Sequence, residues 1–151
     1  NHAEVMCLAE NIYFEARAES FSGKAAVANV TRNRVNDTRW PSTYCAVVTE
    51  GPIKESWKTR GKDVPDSERI FWPRKHKCQF SWYCDGKSDN PRNIEAWERA
   101  QKFAHDIYIY GAYVGLTEGA THYHATYVRP KWAPNMDRIT RIGSHYFYRM
   151  K

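Results

Sequence analysis

The sequence lacks any long apolar run. No stretch of its 151 residues approaches the roughly 18 consecutive apolar residues that a membrane-spanning helix needs, so we expect no stable membrane insertion. The chain opens at Asn1 without a signal-peptide pattern, and we expect any export signal or anchor to have been trimmed away. Internal repeats and low-complexity segments are also missing, which argues against a repeat protein. The length of 151 residues predicts a single domain over residues 1–151 that is long enough to bury a core.

Common metal-binding patterns are absent as well. The four cysteines show no CxxC spacing, which argues against a zinc knuckle, and no HExxH motif is present. Three pairings of the cysteines are open; Cys78 and Cys84 flank the short aromatic loop 79–83, and we predict a disulfide there. Such a disulfide would imply an oxidising compartment.

The charge and the aromatic content indicate the kind of partner. A formal net charge of +6 favours anionic partners, whether nucleic acid, membrane surface or cell-wall polymer. The chain has ten Tyr and six Trp; such amphipathic rings suit both the packing of the core and a groove for sugars or flat ligands, and composition does not separate the two.

Hydrophobic periodicity predicts helices first and strands last. We predict helices over 3–19, over 23–36 with Ser22 as the N-cap, and over 92–110 with Gly111 at the C-terminal cap. The expected buried positions are Val5, Leu8, Ala9, Ile12, Ala16, Ala26, Val27, Val30, Ile94, Trp97, Ala100, Ala104, Ile107 and Tyr108, with the apolar piece Ala46–Val48 packed on the core. Two β-like runs, 121–128 and 145–149, complete an α+β fold.

Glu15 is the main candidate for proton chemistry. On the predicted first helix it shares a row of neighbouring positions with Ile12 and Glu19, at the flank of the apolar stripe. Partial burial should raise the pKa of its carboxyl group, as a general acid requires. The alternative is a structural ion pair with Arg32 or Arg34.

Five blocks of the sequence resemble the spore cortex-lytic (SleB-type) cell wall hydrolases and their phage lysin relatives. The blocks are 8–19 (LAENIYFEARAE), 23–35 (GKAAVANVTRNRV), 40–43 (WPST) leading into 47–48 (VV), 79–82 (QFSW), and 119–124 (GATHYH) with Pro130, Trp132, Gly143 and residues 145–148 (HYFY). The resemblance implies a lysozyme-like or lytic-transglycosylase-like α+β domain, mainly helical with a small sheet near its C-terminus. It also implies that Glu15, in the Glu-Ala-Arg triplet, is the general acid. Residues 53–77 match nothing in the family and are a possible insertion.

Counting carboxyl groups favours a lytic transglycosylase that cleaves the MurNAc–GlcNAc bond. Ordinary glycosidases use two carboxyl groups on opposite sides of the scissile bond. Glu19 is expected to leave the same helix on the same side as Glu15. We therefore interpret it as a residue that shapes the pKa of Glu15 or holds the site by hydrogen bonds, and we count it among the substrate-binding residues. Asp85 and Asp89 keep muramidase-type hydrolysis open as the alternative.

The substrate contacts are predicted from chemistry and alternation. Gln79, Phe80, Ser81 and Trp82 suit a saccharide wall, or else form a loop anchored by two buried rings. In the predicted strand, Thr121 and Tyr123 share one face, and His122 and His124 share the other. We assign Thr121, Tyr123 and His124 to substrate binding. Tyr123 either supports the transition state or packs.

Three other functions are weighed against this one. His122, His124 and His145 would be zinc ligands of a cell-wall amidase, but no accompanying acid is found, so we expect no metal and no cofactor. A Cys–His peptidase would use Cys7 or Cys45, and neither has a nucleophile context. A binding module for nucleic acid or polysaccharide would leave the Glu-Ala-Arg block unexplained.

We therefore expect a monomeric enzyme that acts on peptidoglycan glycan strands outside the cytoplasm and binds no nucleic acid. Germination enzyme, autolysin and phage lysin all remain open, and the positive charge favours the lysin.

Overall fold

The first helix, α1, spans His2–Glu15 and begins at Asn1, whose side-chain oxygen accepts hydrogen bonds from the backbone N–H groups of the first turn. The computed structural model describes residues 1–16, 19–51, 53–75 and 78–151. The predicted end at residue 19 is wrong, because the backbone leaves helical geometry at Ala16 (φ −116°, ψ 25°). Glu19 therefore does not lie on the same helix as Glu15.

Helix α2 spans Phe21–Val35 and carries the most buried apolar face. Ser20, and not the predicted Ser22, is the N-cap, because its hydroxyl accepts a hydrogen bond from the N–H of Gly23 at 3.3 Å. The predicted core positions Ala26, Val27 and Val30 are fully buried, as expected.

Helices α3 (Tyr44–Val48) and α4 (Ile94–Tyr110) pack with α1. A disulfide between Cys7 and Cys45 joins α1 to α3, and the Glu4 carboxylate accepts hydrogen bonds from the first two N–H groups of α3. Gly111 ends α4 in the left-handed conformation (φ 65°), as predicted. The expected burial of Ile94 is wrong: it is 71% exposed, because it is the first residue of its helix.

A three-stranded antiparallel sheet follows, in the order β3-β5-β4. Strand β3 (His122–Ala125) is shorter than the predicted run 121–128. Strand β4 (Met136–Ile142) was not predicted. Strand β5 (His145–Met150) is one residue longer than the predicted run 145–149. The sheet packs on α2 through Phe147, which is buried against Ala26 and Val30. Helices followed by a small sheet confirm the α+β prediction.

The chain divides into two units, residues 1–48 with 90–151, and residues 49–89. The second unit contains the predicted insertion 53–77. It holds a two-stranded antiparallel sheet of β1 (Ile53–Glu55) and β2 (Phe71–Pro73), and the predicted Cys78–Cys84 disulfide is present. Arg69 connects its loops by donating to the Glu55 and Asp66 carboxylates. No described helix is both long and apolar enough to cross a membrane.

Candidate active site

The carboxyl group of Glu15 lies where the last turn of α1 meets the sheet. The hydroxyl of Tyr123, on β3, donates a hydrogen bond to Oε1 of Glu15 at 2.5 Å. Tyr123 is fixed in turn by the buried ring of Phe147, which lies opposite it on β5. Two of the predicted site residues are therefore in direct contact although 108 positions separate them.

Burial raises the pKa of the Glu15 carboxyl group above its ordinary value of 4.5. The Tyr123 hydroxyl, the His145 imidazole and the Arg34 guanidinium act in the opposite direction, because each stabilises the carboxylate. In the described part of the chain Glu15 forms no salt bridge with Arg32 or Arg34. A half-buried carboxyl of raised pKa is suited to donate a proton and to take one back.

Tyr123 is held as a neutral phenol. Burial, followed by the neighbouring negative charge of Glu15, raises the pKa of its hydroxyl well above 10.0. The hydroxyl is consequently a hydrogen-bond donor at every physiological pH.

Glu19 occupies a separate polar pocket beside the turn between β4 and β5. Its Oε1 accepts a hydrogen bond from the hydroxyl of Ser144 at 2.6 Å and lies 2.9 Å from Nδ1 of His145. The distance between Nδ1 of His145 and the Glu19 carboxylate is that of an ion pair, but the geometry of the contact does not meet the angles of a hydrogen bond. Sequence reasoning did not find Ser144, and it considered His145 only as a metal ligand.

Two glycines leave room for the Glu19 carboxylate. A Cβ atom added at Gly23 would lie 2.8 Å from Oε2 of Glu19, and one added at Gly143 would lie 3.2 Å from the same oxygen. Gly143 also has φ 58°, in the left-handed region that favours glycine. An alanine at position 23 would therefore force the Glu19 carboxylate to shift, and one at position 143 would crowd it.

Thr121 is buried at the start of β3 and has a structural environment. Its carbonyl oxygen accepts a hydrogen bond from Nε of the buried Arg34 at 2.7 Å, and its hydroxyl lies 3.0 Å from Nδ1 of His122. This contact places the Arg34 side chain between the sheet and α2.

His124 lies on the opposite face of the sheet from Tyr123, as strand alternation predicts. It contacts the hydroxyl of Tyr148 at 2.6 Å and the carbonyl of Ala125 at 2.7 Å. His122 is on the same face as His124, whereas His145 lies with Tyr123 on the other face. The three histidines of the zinc hypothesis therefore do not converge, and the described residues contain no group of three or more candidate metal ligands.

Gln79, Phe80, Ser81 and Trp82 belong to the second unit. Phe80 and Trp82 are 2% and 7% exposed, and the N–H of Gln79 donates to the carbonyl of Glu50 at 2.9 Å. The Ser81 side chain is outside the described part of the chain. In the same unit, burial and the neighbouring charge of Asp85 raise the pKa of Asp89.

A disulfide between the two candidate nucleophiles excludes the cysteine-peptidase hypothesis. Cys7 and Cys45 are bonded to each other, so neither offers a thiolate nucleophile.

The first unit thus presents one protonatable carboxyl group against a small sheet, with a second carboxylate held nearby by the protein itself. The chain belongs to the cell wall hydrolase family, whose model matches residues 18–148. It is an enzyme that degrades peptidoglycan. Glu15 lies just before the matched range, so its role rests on the geometry and on the resemblance of residues 8–19.

Two solved structures share the fold. The catalytic domain of the Bacillus cereus SleB protein is 23% identical, with a TM-score of 0.63 over 99% of this chain and 91% of that chain. The catalytic domain of the germination-specific lytic transglycosylase SleB from Bacillus anthracis is 24% identical, with a TM-score of 0.63 over 97% of this chain and 93% of that chain. No curated protein matches the chain. The fold is accordingly that of the SleB catalytic domains, an α+β lysozyme-like fold, as the resemblance implied.

Proposed function

We propose that the protein cleaves the MurNAc–GlcNAc bond of peptidoglycan as a lytic transglycosylase, with Glu15 as its single acid and base. The observation that carries the proposal is the burial of the Glu15 carboxyl group, which accepts a hydrogen bond from the Tyr123 hydroxyl. Burial raises the pKa of this carboxyl group, which is the direction that a general acid requires.

The reaction needs one carboxyl group in two successive roles. The protonated Glu15 gives its proton to the bridging glycosidic oxygen, and the bond from that oxygen to the muramic C1 carbon breaks. The resulting carboxylate then takes the proton from the C6 hydroxyl of the muramic sugar. At the same time the O6 oxygen of that hydroxyl forms a bond to C1. The products are a free GlcNAc hydroxyl and a 1,6-anhydro ring, and no water is consumed. The attacking hydroxyl is tethered to the reacting ring, which provides the advantage of an intramolecular reaction.

Tyr123 has a defined part in this cycle. Its hydroxyl donates to Oε1 of Glu15, so it stabilises the carboxylate formed after the first proton transfer. The second oxygen of Glu15 then carries the transferred proton.

The surroundings of Glu19 support a mechanism with one catalytic carboxyl group. Its Oε1 contacts Ser144 and His145, and its Oε2 is enclosed by Gly23 and Gly143. A carboxylate engaged in this way positions the turn between β4 and β5 and is poorly placed to activate a water molecule.

Muramidase-type hydrolysis is the second candidate. Asp85 and Asp89 of the second unit are the carboxyl groups that we propose for such a reaction, and burial and the charge of Asp85 raise the pKa of Asp89. Gln79, Phe80, Ser81, Trp82 and Thr121 remain the proposed sugar contacts of either reaction. His124 also stays a proposed sugar contact, but it lies on the opposite face of the sheet from Tyr123 and would meet a different stretch of glycan.

We further propose that the protein acts as a monomer on the glycan strands outside the cytoplasm, without metal, cofactor or nucleic acid. The two disulfides support an oxidising location.

Mass spectrometry of the fragments released from purified sacculi distinguishes the two reactions. Transglycosylation predicts muropeptides that are one water lighter than muramidase products and that resist borohydride reduction. Muramic ends that reduce normally would establish hydrolysis, and Asp85 and Asp89 would then be the residues to substitute.

A further inference from the structure

A groove of about 490 Å³ opens on the face of the three-stranded sheet that points away from Glu15. On β3, Tyr123 directs its hydroxyl to Glu15, whereas the next residue, His124, lines this groove. Tyr146 and Tyr148 of β5 lie on the same side as His124. We call this cavity the outer groove; it lies on the opposite side of the sheet from the Glu15 carboxyl group.

The aromatic wall of the outer groove is fixed by its own hydrogen bonds. The Ala125 carbonyl can only accept, so Nδ1 of His124 carries a proton and donates to it at 2.7 Å. In a neutral ring Nε2 then accepts from the hydroxyl of Tyr148 at 2.6 Å. The rings of His124 and Tyr148 stack, with 5.2 Å between their centres. Tyr148 is buried and supports the His124 ring from behind, so the part of the wall that a sugar can reach is formed by the partly exposed rings of His124 and Tyr146. Rings held in this way can contact the C–H face of a sugar without a large loss of side-chain entropy.

The outer groove is positively charged. Arg129 and Arg138 line it, and no acidic residue lies among its described lining residues. The guanidinium carbon of Arg138 lies over the Tyr146 ring, 4.1 Å from its centre, at the distance of a cation–π contact. Neither arginine forms a salt bridge within the described ranges, whereas Arg39 and Arg69 each pair with a carboxylate. Two guanidinium groups without acidic partners, beside a sugar-sized aromatic wall, are complementary to a glycan that carries carboxylates.

We propose that the outer groove binds a second stretch of peptidoglycan, through a sugar and the carboxylates of its attached peptide, and so holds the enzyme on the wall while Glu15 cuts elsewhere. This inference rests on the proposed function, because it takes its ligand from the same polymer. A single sugar cannot contact both faces of the sheet, so the bound stretch is a neighbouring strand or a distant part of the same one.

The test is binding to purified sacculi in a pelleting assay, in the Glu15→Gln background so that the polymer stays intact. Arg138→Gln and Tyr146→Ala should each weaken binding by roughly three- to tenfold, as the loss of one charge-assisted or stacking contact would. Lys102→Gln is the matched control, since it removes the same charge from an exposed position on α4 and should bind as the parent does. Thermal melting should confirm that every variant is folded, and Tyr146→Phe, which keeps the ring, should retain most of the binding.

Two outcomes would overturn the inference. Arg138→Gln that binds as tightly as Lys102→Gln would show that the groove is not used. Binding that disappears when phosphate-containing wall polymers are stripped from the sacculi would assign the groove to those polymers instead. Failure of the proposed function can be distinguished from failure of this inference. It would appear as a lack of cleavage of sacculi by the unsubstituted protein, independently of how tightly the groove variants bind.

Discussion

Glu15 and Glu19 are the same residue type four positions apart, yet the protein surrounds them in different ways. Glu15 is half-buried beside apolar groups and receives one hydrogen bond, from the neutral phenol of Tyr123. Glu19 is in contact with a hydroxyl and an imidazole, and its side chain is 14% exposed. Its other oxygen is enclosed by two glycine backbones.

The difference indicates how one short segment can supply a reactive and a structural carboxyl group. A carboxyl with few polar partners can exchange its proton with a substrate. A carboxylate surrounded by the protein's own donors instead fixes the distance between α2 and the turn of the sheet.

The largest effect is expected for Glu15→Gln. The amide keeps the shape but cannot transfer a proton, so turnover of sacculi should fall by roughly two to four orders of magnitude. Release of soluble fragments is the measurement, and a circular dichroism spectrum like that of the parent is the control. Retention of more than about a tenth of the activity would place the acid on another residue.

Tyr123→Phe should have the next largest effect. It removes the hydrogen bond that stabilises the Glu15 carboxylate, so activity should decrease by about ten- to a hundredfold. Because that hydrogen bond lowers the pKa of Glu15, its loss should raise the pKa further. The basic limb of the pH–rate profile should then move to higher pH; a shift to lower pH would contradict this assignment.

Glu19→Gln should reduce activity less than either change. The amide can still accept a hydrogen bond from Ser144, but it no longer supplies a negative charge beside His145. We therefore expect the free energy of unfolding to fall by about 1–2 kcal/mol and turnover to fall only several-fold. Denaturant melts and fragment release measure the two effects separately. A loss of turnover as large as that of Glu15→Gln would remove the distinction between the two residues.

The smallest effect is expected for Gly143→Ala. The new Cβ would press on Oε2 of Glu19, and the left-handed backbone would add a cost of about 1–2 kcal/mol. Gly115→Ala is the matched control, because Gly115 has φ 80° and nothing within 4 Å of the added atom. Both variants should lose stability, but Gly143→Ala should also lose activity. Equal activity in the two would show that the pocket of Glu19 tolerates displacement.

Local sequence patterns predicted the parts of the fold that depend on periodicity. The buried stripe of α2, the left-handed cap at Gly111 and the alternation of Tyr123 with His124 all follow from spacing within one element. Glu15 was identified because it lies beside apolar positions of its own helix. Its contact with Tyr123 depends on the packing of distant elements, which spacing cannot reveal.

The errors concern boundaries that tertiary contacts decide. Nothing in residues 12–19 disfavours a helix strongly, and α1 nevertheless ends at Glu15 while Ser20 starts the next helix. Strand β4 was missed because charged residues interrupt its apolar positions and a bulge lies between Arg138 and Thr140. The partners of Glu19 were missed for the same reason, although Gly143 and Ser144 carry the composition of a tight turn.

The most direct measurement is the titration of the Glu15 carboxyl group itself, by carbon NMR of the protein labelled at its glutamate side chains. The Glu15 signal is assigned by its absence from Glu15→Gln. We predict that this carboxyl titrates above 4.5, because its burial outweighs the stabilising effects of Tyr123, His145 and Arg34. A midpoint at or below 4.5 would show that Glu15 is a carboxylate throughout the neutral range, and would contradict its role as the proton donor.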